Sequence, residues 1–327
     1  MKLGIIGTGM IITDVLNAIE DLLVEKIYIY GRSEDKASLF NEKYHLDGYF
    51  TDYDEILDSD VDTIYIALPN YLHYEFSKKA LLKDKHVIIE KPITSHYEEL
   101  KELKEIAFQR HLIIIEAMNL HYLPGVLSIK DNLSLLGDIK IVNLNFSQYS
   151  SRYNAFKEGV ILPVFDYHKS GGALYDLNVY NIHFVIDLFG EPKDVYYYPN
   201  IEKGIDTSGI LIMDYPRFKV IAIGAKDCKA PMMNTIQGND GNIVVDKAIS
   251  QMTSYSLSKN NKEEIKYQFD TQKHRLYYEF KEFIRIIDKQ DYQKVSKMLE
   301  ISSIACRVME KARQVSGIVF DADKEKK

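Results

Sequence analysis

The opening dozen residues, MKLGIIGTGMII, constrain this chain more than any other stretch. An apolar run through Leu3, Ile5 and Ile6 leads directly into Gly7-Thr8-Gly9, and helix-compatible residues follow from Ile11. A strand that ends in glycines and opens a helix suits a dinucleotide pyrophosphate. Gly7 permits a tight turn, Gly9 lets the backbone approach the phosphates, and the helix N-terminus offers N–H groups and a positive dipole end. Gly7, Thr8, Gly9, Met10 and Ile11 are the candidate contacts. A glycine pair alone also fits a plain strand–turn–helix, so the rest of the chain has to decide.

Lys26 to Tyr30 reads as a short strand that closes on Gly31-Arg32-Ser33. An acidic side chain here would accept hydrogen bonds from the ribose 2′-hydroxyl of NAD, but this chain carries glycine, a guanidinium and a hydroxyl. Those groups suit a 2′-phosphate, so NADP is expected ahead of NAD, with Arg32 and Ser33 as its readers and Gly31 among the cofactor contacts. A solvated turn arginine is the bland alternative.

The alternation continues with helix over 33–44, strand over 48–51, helix over 53–57 and strand over 62–68, which stops at Pro69-Asn70. A helix over 71–83 follows and contains His73; the strand 86–89 ends at Glu90-Lys91-Pro92. A helix over 98–109 and a strand over 112–115 complete a βα pattern, which predicts a doubly wound parallel sheet. Ligands lie beyond the C-terminal ends of such strands, so Leu68, Pro69, Asn70, His73, Glu90 and Lys91 join the candidate cofactor site. A lysine held between a buried strand and a proline can bind a substrate hydroxyl or assist its proton transfer. A loop salt bridge is the alternative for Lys91.

At 327 residues the chain fits two domains, and its 46% hydrophobic content can supply their cores. A net charge of −7 argues against a nucleic-acid or anionic-membrane partner. No apolar run approaches a membrane span, no signal peptide is expected ahead of the first strand, and Cys228 and Cys306 form neither a disulfide framework nor a CxxC site. Both are expected to be reduced core or near-core thiols, and the cytoplasm is the natural compartment. No His/Cys/Asp/Glu cluster has metal-site spacing.

Beyond Gly137 the pattern turns to strands, at 139–147, 194–198, 208–215, 218–224 and 242–245, with a helix over 173–189. Two amphipathic helices, 277–288 and 294–314, precede a charged tail, Asp321 to Lys327, expected to fray. Tyr149, Tyr153, Tyr167, Tyr175 and Tyr180 are expected around a common pocket, where they could stack a sugar ring or simply pack.

GIIGTG, ALPNYLH at 67–73, EKP at 90–92, EAMNLHYLP at 116–124, GGALYDLNVYNIH at 171–183 and LFGEP at 188–192 together resemble the Gfo/Idh/MocA oxidoreductases, in the family's order. HRLYYEFKEF at 274–283 and SGIVF at 316–320 agree, so the resemblance spans essentially the whole chain. It is nearest the dihydrodiol dehydrogenase and glucose–fructose oxidoreductase subgroup, because the second catalytic position is tyrosine. The resemblance implies a Rossmann domain over 1–119 and a substrate domain over 120–327. The second domain would have a large, mostly antiparallel open sheet serving a homodimer or homotetramer interface, with the last helices packing back on the first domain.

It also implies that Lys91, Asp176 and Tyr180 are catalytic. Positions i and i+4 share a helix face, so Asp176 and Tyr180 can address one carbon. Tyr180 is expected as acid/base, with the Lys91 ammonium lowering its pKa and Asp176 orienting the pair or a substrate hydroxyl. His121, His168 and His183 are candidate substrate contacts; a hydrogen-bonded structural role is the alternative for His183. Two departures stand out. Ile12 occupies the third glycine position, which implies a slightly displaced helix, and His121 stands where the subgroup commonly has arginine.

The expected activity is NADP-dependent hydride transfer to or from a sugar, polyol or cyclic trans-diol. A cofactor-binding sensor and a sugar–sugar oxidoreductase retaining its NADP stay open.

Overall fold

The computed structural model describes residues 1–270 and 272–323. Two compact units emerge: Met1–Met118 with Lys273–Ser303, and Asn119–Gln272 with the chain from Ile304 onward. The division is not one cut near residue 119, because residues 273–303 return to the first unit.

In the first unit β1 (Lys2–Ile6), α1 (Met10–Ile19), β2 (Lys26–Tyr30), α2 (Glu34–Tyr44), β3 (Gly48–Phe50) and α3 (Tyr53–Asp58) alternate. They continue as β4 (Thr63–Ile66), α4 (His73–Leu82), β5 (His86–Glu90), α5 (Tyr97–Gln109) and β6 (Ile114–Ala117). All six strands pair in parallel, in the order β3-β2-β1-β4-β5-β6. A parallel sheet is covered on both faces, which is why β4 and β6 are buried along their whole length. The strand order reverses at β1, between β2 and β4, the point where such sheets bind ligands. Helix α1 starts directly after the glycines and ends at Ile19, whose carbonyl accepts the Leu22 N–H at 2.9 Å. Ile12 is fully buried.

The second unit holds α6 (Pro124–Asn132), β7 (Ile139–Ser147), α7 (Tyr153–Lys157) and a π-helical turn, Leu174–Asn178, that runs into α8 (Val179–Phe189). Strands β8 (Asp194–Glu202), β9 (Ile205–Asp214), β10 (Lys219–Ala225), β11 (Asn234–Gly238), β12 (Gly241–Val245), β13 (Ser254–Lys259) and β14 (Ile265–Gln268) follow. With β7 they form an eight-stranded sheet, ordered β14-β13-β12-β11-β7-β10-β9-β8, antiparallel except where β7 meets β10. One face carries the π turn and α8. Asn178 Nδ2 donates to the Ala222 carbonyl at 3.0 Å and Asn181 Nδ2 to that of Ile223 at 3.1 Å. A Cβ on Gly224 would stand 2.8 Å from the Asn178 Cβ, so glycine permits this approach. The other face exposes Tyr196, Tyr198, Ile210 and Ile221.

Helix α9 (Tyr277–Lys289) belongs to the first unit, where the Phe280 ring meets Tyr65 edge-on at 5.4 Å. Helix α10 (Tyr292–Val315) passes from the first unit to the second after Ser303. The tail does not fray at its start: Arg313, itself buried, clamps Asp323 with Nη2 at 2.8 Å and bonds the Ile318 carbonyl at 3.0 Å. The rest of the expected tail, 324–327, lies outside the described residues. Cys306 is buried, but Cys228 is exposed rather than near the core. Among the described residues no helix is long and apolar enough to cross a membrane.

Candidate active site

The nucleotide turn of the first unit is built by sterics. Gly7 sits at φ +124°, and a Cβ there would lie 2.6 Å from the Ala67 carbonyl oxygen, so only glycine lets β1 turn beside β4. Its N–H donates to the Tyr30 carbonyl at 2.9 Å, tying the turn to β2 as well. Gly9 is the N-cap of α1, has no side-chain cap, and a Cβ on it would meet nothing within 4 Å. Met10 beyond it is exposed. An uncapped helix N-terminus with open space over its first glycine fits a dinucleotide pyrophosphate. At the end of β2, Gly31 is buried against Thr8, while Arg32 and Ser33 are exposed.

Beside this turn, the segments after β4 and β5 are fastened together by His73. Its ring is fully buried, with Nδ1 2.9 Å from the Pro92 carbonyl and Nε2 2.8 Å from that of Leu68. The ring thus sits between the Leu68–Asn70 and Glu90–Pro92 loops, each nitrogen facing a backbone carbonyl. Burial pushes its imidazole pKa down, and a neutral ring donates to one of the two carbonyls. Glu90 likewise turns inward: one carboxyl oxygen accepts the Tyr65 hydroxyl and the other the Lys91 backbone N–H at 3.2 Å. Burial raises its pKa, against the pull of Tyr65 and Lys91. Lys91 stands at the C-terminal end of β5, half-buried.

In the second unit Asp176 lies in the π turn and Tyr180 in the first turn of α8, so they do not share the regular helix assumed from their spacing. π turns cluster at functional sites. Asp206 anchors this one, accepting the Leu174 N–H at 2.7 Å and the Tyr197 hydroxyl at 2.7 Å. Burial pushes its carboxyl up to about 6. Asp176 accepts a 2.6 Å hydrogen bond from Lys226, a residue that sequence reasoning missed. Tyr180 packs its ring 5.8 Å from that of Phe146.

The three histidines part company. His121 is buried, with Nδ1 2.7 Å from Asp187 Oδ2 and Nε2 3.1 Å from His183 Nδ1. Both of its nitrogens are thus engaged within the second unit. His183 is fully buried in the same chain of bonds, and burial followed by the nearby His121 pushes its pKa well down. His168 is exposed and holds Asp321 at 2.5 Å. Nor do the tyrosines form one cluster. Tyr175 is buried edge-on against Phe320 at 4.9 Å, whereas Tyr149 and Tyr153 pack with each other at 5.5 Å and Tyr153 with Phe165 at 5.8 Å. Among the described residues no group of three or more His, Cys, Asp or Glu side chains could hold a metal ion.

Residues 1–118 match the family model described as an oxidoreductase family with an NAD-binding Rossmann fold. The chain is 31% identical to scyllo-inositol 2-dehydrogenase (NADP(+)) IolU of Bacillus subtilis over 99% of each chain. It is 27% identical to the uncharacterized oxidoreductase YgjR of Escherichia coli over 100% of this chain and 99% of that one. Among solved structures it superposes on KijD10, a 3-ketoreductase from Actinomadura kijaniata, with TM-score 0.81, 20% identity and 96% of each chain covered. With the glycine turn at the strand-order reversal, the open antiparallel sheet and identity sustained along the whole chain, the protein belongs to the Gfo/Idh/MocA oxidoreductases.

Proposed function

We propose that the protein interconverts a secondary alcohol and a ketone on a polyol or sugar, cyclic polyols of the inositol type foremost, using NADP(H). The observation that carries this reading is the full-length identity to an enzyme named as an NADP(+)-dependent inositol dehydrogenase. The exposed Arg32 and Ser33 after β2, with no carboxylate at Gly31, support the choice of NADP.

Gly7, Thr8, Gly9, Met10 and Ile11 would hold the pyrophosphate, Arg32 and Ser33 the 2′-phosphate, and the Leu68–Asn70 and Glu90–Lys91 segments the nicotinamide end. The bound nicotinamide supplies hydride chemistry. The chain's own task is to orient the carbinol carbon and manage one proton. In oxidation Tyr180 Oη, as the phenolate, would take the hydroxyl proton and become the phenol, while the Lys91 ammonium stabilises the developing alkoxide and Asp176 accepts a hydrogen bond from a substrate hydroxyl.

The assay is nicotinamide reduction with NADP⁺ and NAD⁺ in parallel over inositols, sugars and trans-diols. NADP⁺-selective turnover is expected. Tyr180→Phe should lower it by well over about tenfold and Lys91→Ala should abolish it, both with cofactor affinity nearly intact. Firm NADPH binding without turnover on any polyol would overturn the enzyme reading in favour of a sensor.

The open sheet face supports a second copy of the chain as partner. Tyr196, Ile212 and Ile221 lie side by side across β8, β9 and β10, and Tyr198, Ile210 and Ile223 form the next row. Such a contiguous apolar face marks an interaction surface. Light scattering should find an oligomer that Ile210→Lys with Ile221→Lys dissociates; a wild-type monomer would remove this partner.

A further inference from the structure

Lys226 follows β10 directly and is 1% exposed, a rare position for a lysine. Its backbone is fixed on both sides: the N–H donates to the Thr207 carbonyl and its own carbonyl accepts the Ser150 N–H, each at 2.8 Å. The stem is directed inward, where Nζ reaches Asp176 Oδ2 at 2.6 Å and the Val164 carbonyl at 2.9 Å. The Phe165 ring, 4.6 Å from the ammonium, forms another wall. Asp176 lies at the other end of this bond with a side chain 31% exposed, so the buried lysine grips a carboxylate that still meets solvent.

A purely structural ion pair gains little by keeping one partner at the surface, because desolvating the lysine is costly and screening weakens the attraction. A functional carboxylate gains its orientation. One oxygen is committed to an ammonium anchored to backbone, which fixes the carboxylate plane within a π turn already pinned by Asp206 at Leu174.

We propose that Lys226 is a positioning residue for the reaction, holding Asp176 Oδ2 so that the Asp176 carboxylate is presented in a single orientation to a substrate hydroxyl. This rests on the role proposed above for Asp176. Lys226 acts through Asp176 and takes no part in proton or hydride movement.

The test compares Lys226→Met, Asp176→Asn and the double variant, using the polyol that turns over in the panel above and NADPH fluorescence for cofactor binding. Lys226→Met should lower kcat about tenfold or more, leave NADPH affinity within about twofold, and cost little further in the Asp176→Asn background. A merely structural lysine would add its own loss in that background. Crystals of Lys226→Met should show the Asp176 carboxylate displaced from its wild-type rotamer. An unmoved Asp176 overturns the proposal without any assay. Where Lys226→Met does not fold, Lys226→Gln, which keeps a donor for Val164, carries the same expectations. An inactive Asp176→Asn beside a fully active Lys226→Met sinks the Lys226 proposal alone. Full kcat in Asp176→Asn sinks the role of Asp176 itself, and this proposal with it.

Discussion

The Asp187 carboxylate accepts the Nδ1 proton of His121 at 2.7 Å while both side chains are almost wholly buried. Lys130 reaches the same oxygen at 2.5 Å. An ionised carboxylate only accepts, so Nδ1 of His121 must donate, and its Nε2 faces His183 Nδ1 at 3.1 Å. Burial works against the charge on Asp187, yet the hydrogen bond from His121 and the Lys130 ammonium hold its carboxyl well below the usual range.

Asp187→Asn should therefore cost about 3 kcal/mol at neutral pH, since it strips a buried pair of one partner. The sign follows from the depressed pKa: the stabilisation is present above the ordinary value near 3.8 and is lost as pH falls through the folded one. The gap between wild type and variant in urea unfolding should be full at pH 7 and begin to close only below about pH 4. A gap that persisted in acid would rule out the carboxylate's charge as its source.

Gly7 and Gly9 separate stability from cofactor binding. At Gly7 a side chain meets the Ala67 carbonyl in a positive-φ conformation, so Gly7→Ala should lower melting temperature and NADPH affinity together. Gly9 has φ −79° and ψ 175°, open to any residue, and a Cβ there touches nothing. Gly9→Ala should melt like wild type yet bind NADPH at least about tenfold more weakly. Equal affinities in a fluorescence titration would remove the pyrophosphate from this turn.

The strand-to-glycine turn and the parallel sheet of the first unit are legible because their rules are local. A strand that ends in glycine, the residues after the second strand and the lysine after the fifth announce themselves within a few positions of one another. What stayed hidden depends on partners far along the chain. Nothing near Lys226 signals that it will reach Asp176, 50 residues away. Nor does the sequence around His73 announce that its buried ring lies between the carbonyls of Leu68 and Pro92. Tyr175 carries no local mark that separates it from Tyr180, five residues on; only the π turn and Phe320 send it into the core. A sequence period of regular helix cannot reveal a π turn, which Asp206 pins from a different strand.

Arg32 tests the cofactor choice directly. Its guanidinium is exposed at the end of β2, where a charge-assisted contact to a 2′-phosphate forms without moving the fold. Arg32→Ala should weaken NADP⁺ by about tenfold or more, leave NAD⁺ nearly unchanged, and not alter melting temperature. An unchanged NADP⁺-to-NAD⁺ ratio of kcat/KM would return Arg32 to an ordinary turn residue.

Glu116, near the end of β6, makes the first unit lose stability as pH rises from about 4.5 to about 7. It is 4% exposed, accepts the Ile93 N–H at 3.0 Å, and burial pushes its carboxyl from 4.5 up to about 7, with Glu90 adding to the rise. The folded state thus keeps a proton that the unfolded chain releases. The associated stability is complete below the ordinary value near 4.5, is lost as pH climbs to about 7, and then stays level. The loss has a ceiling of about 3 kcal/mol. Glu116→Gln keeps an acceptor for Ile93 and has no proton to lose, so it should gain on wild type between pH 5 and pH 8 and be the more stable at the upper end. Melting curves of the two proteins that ran parallel across this range would mean Glu116 is ionised in the fold already at pH 5.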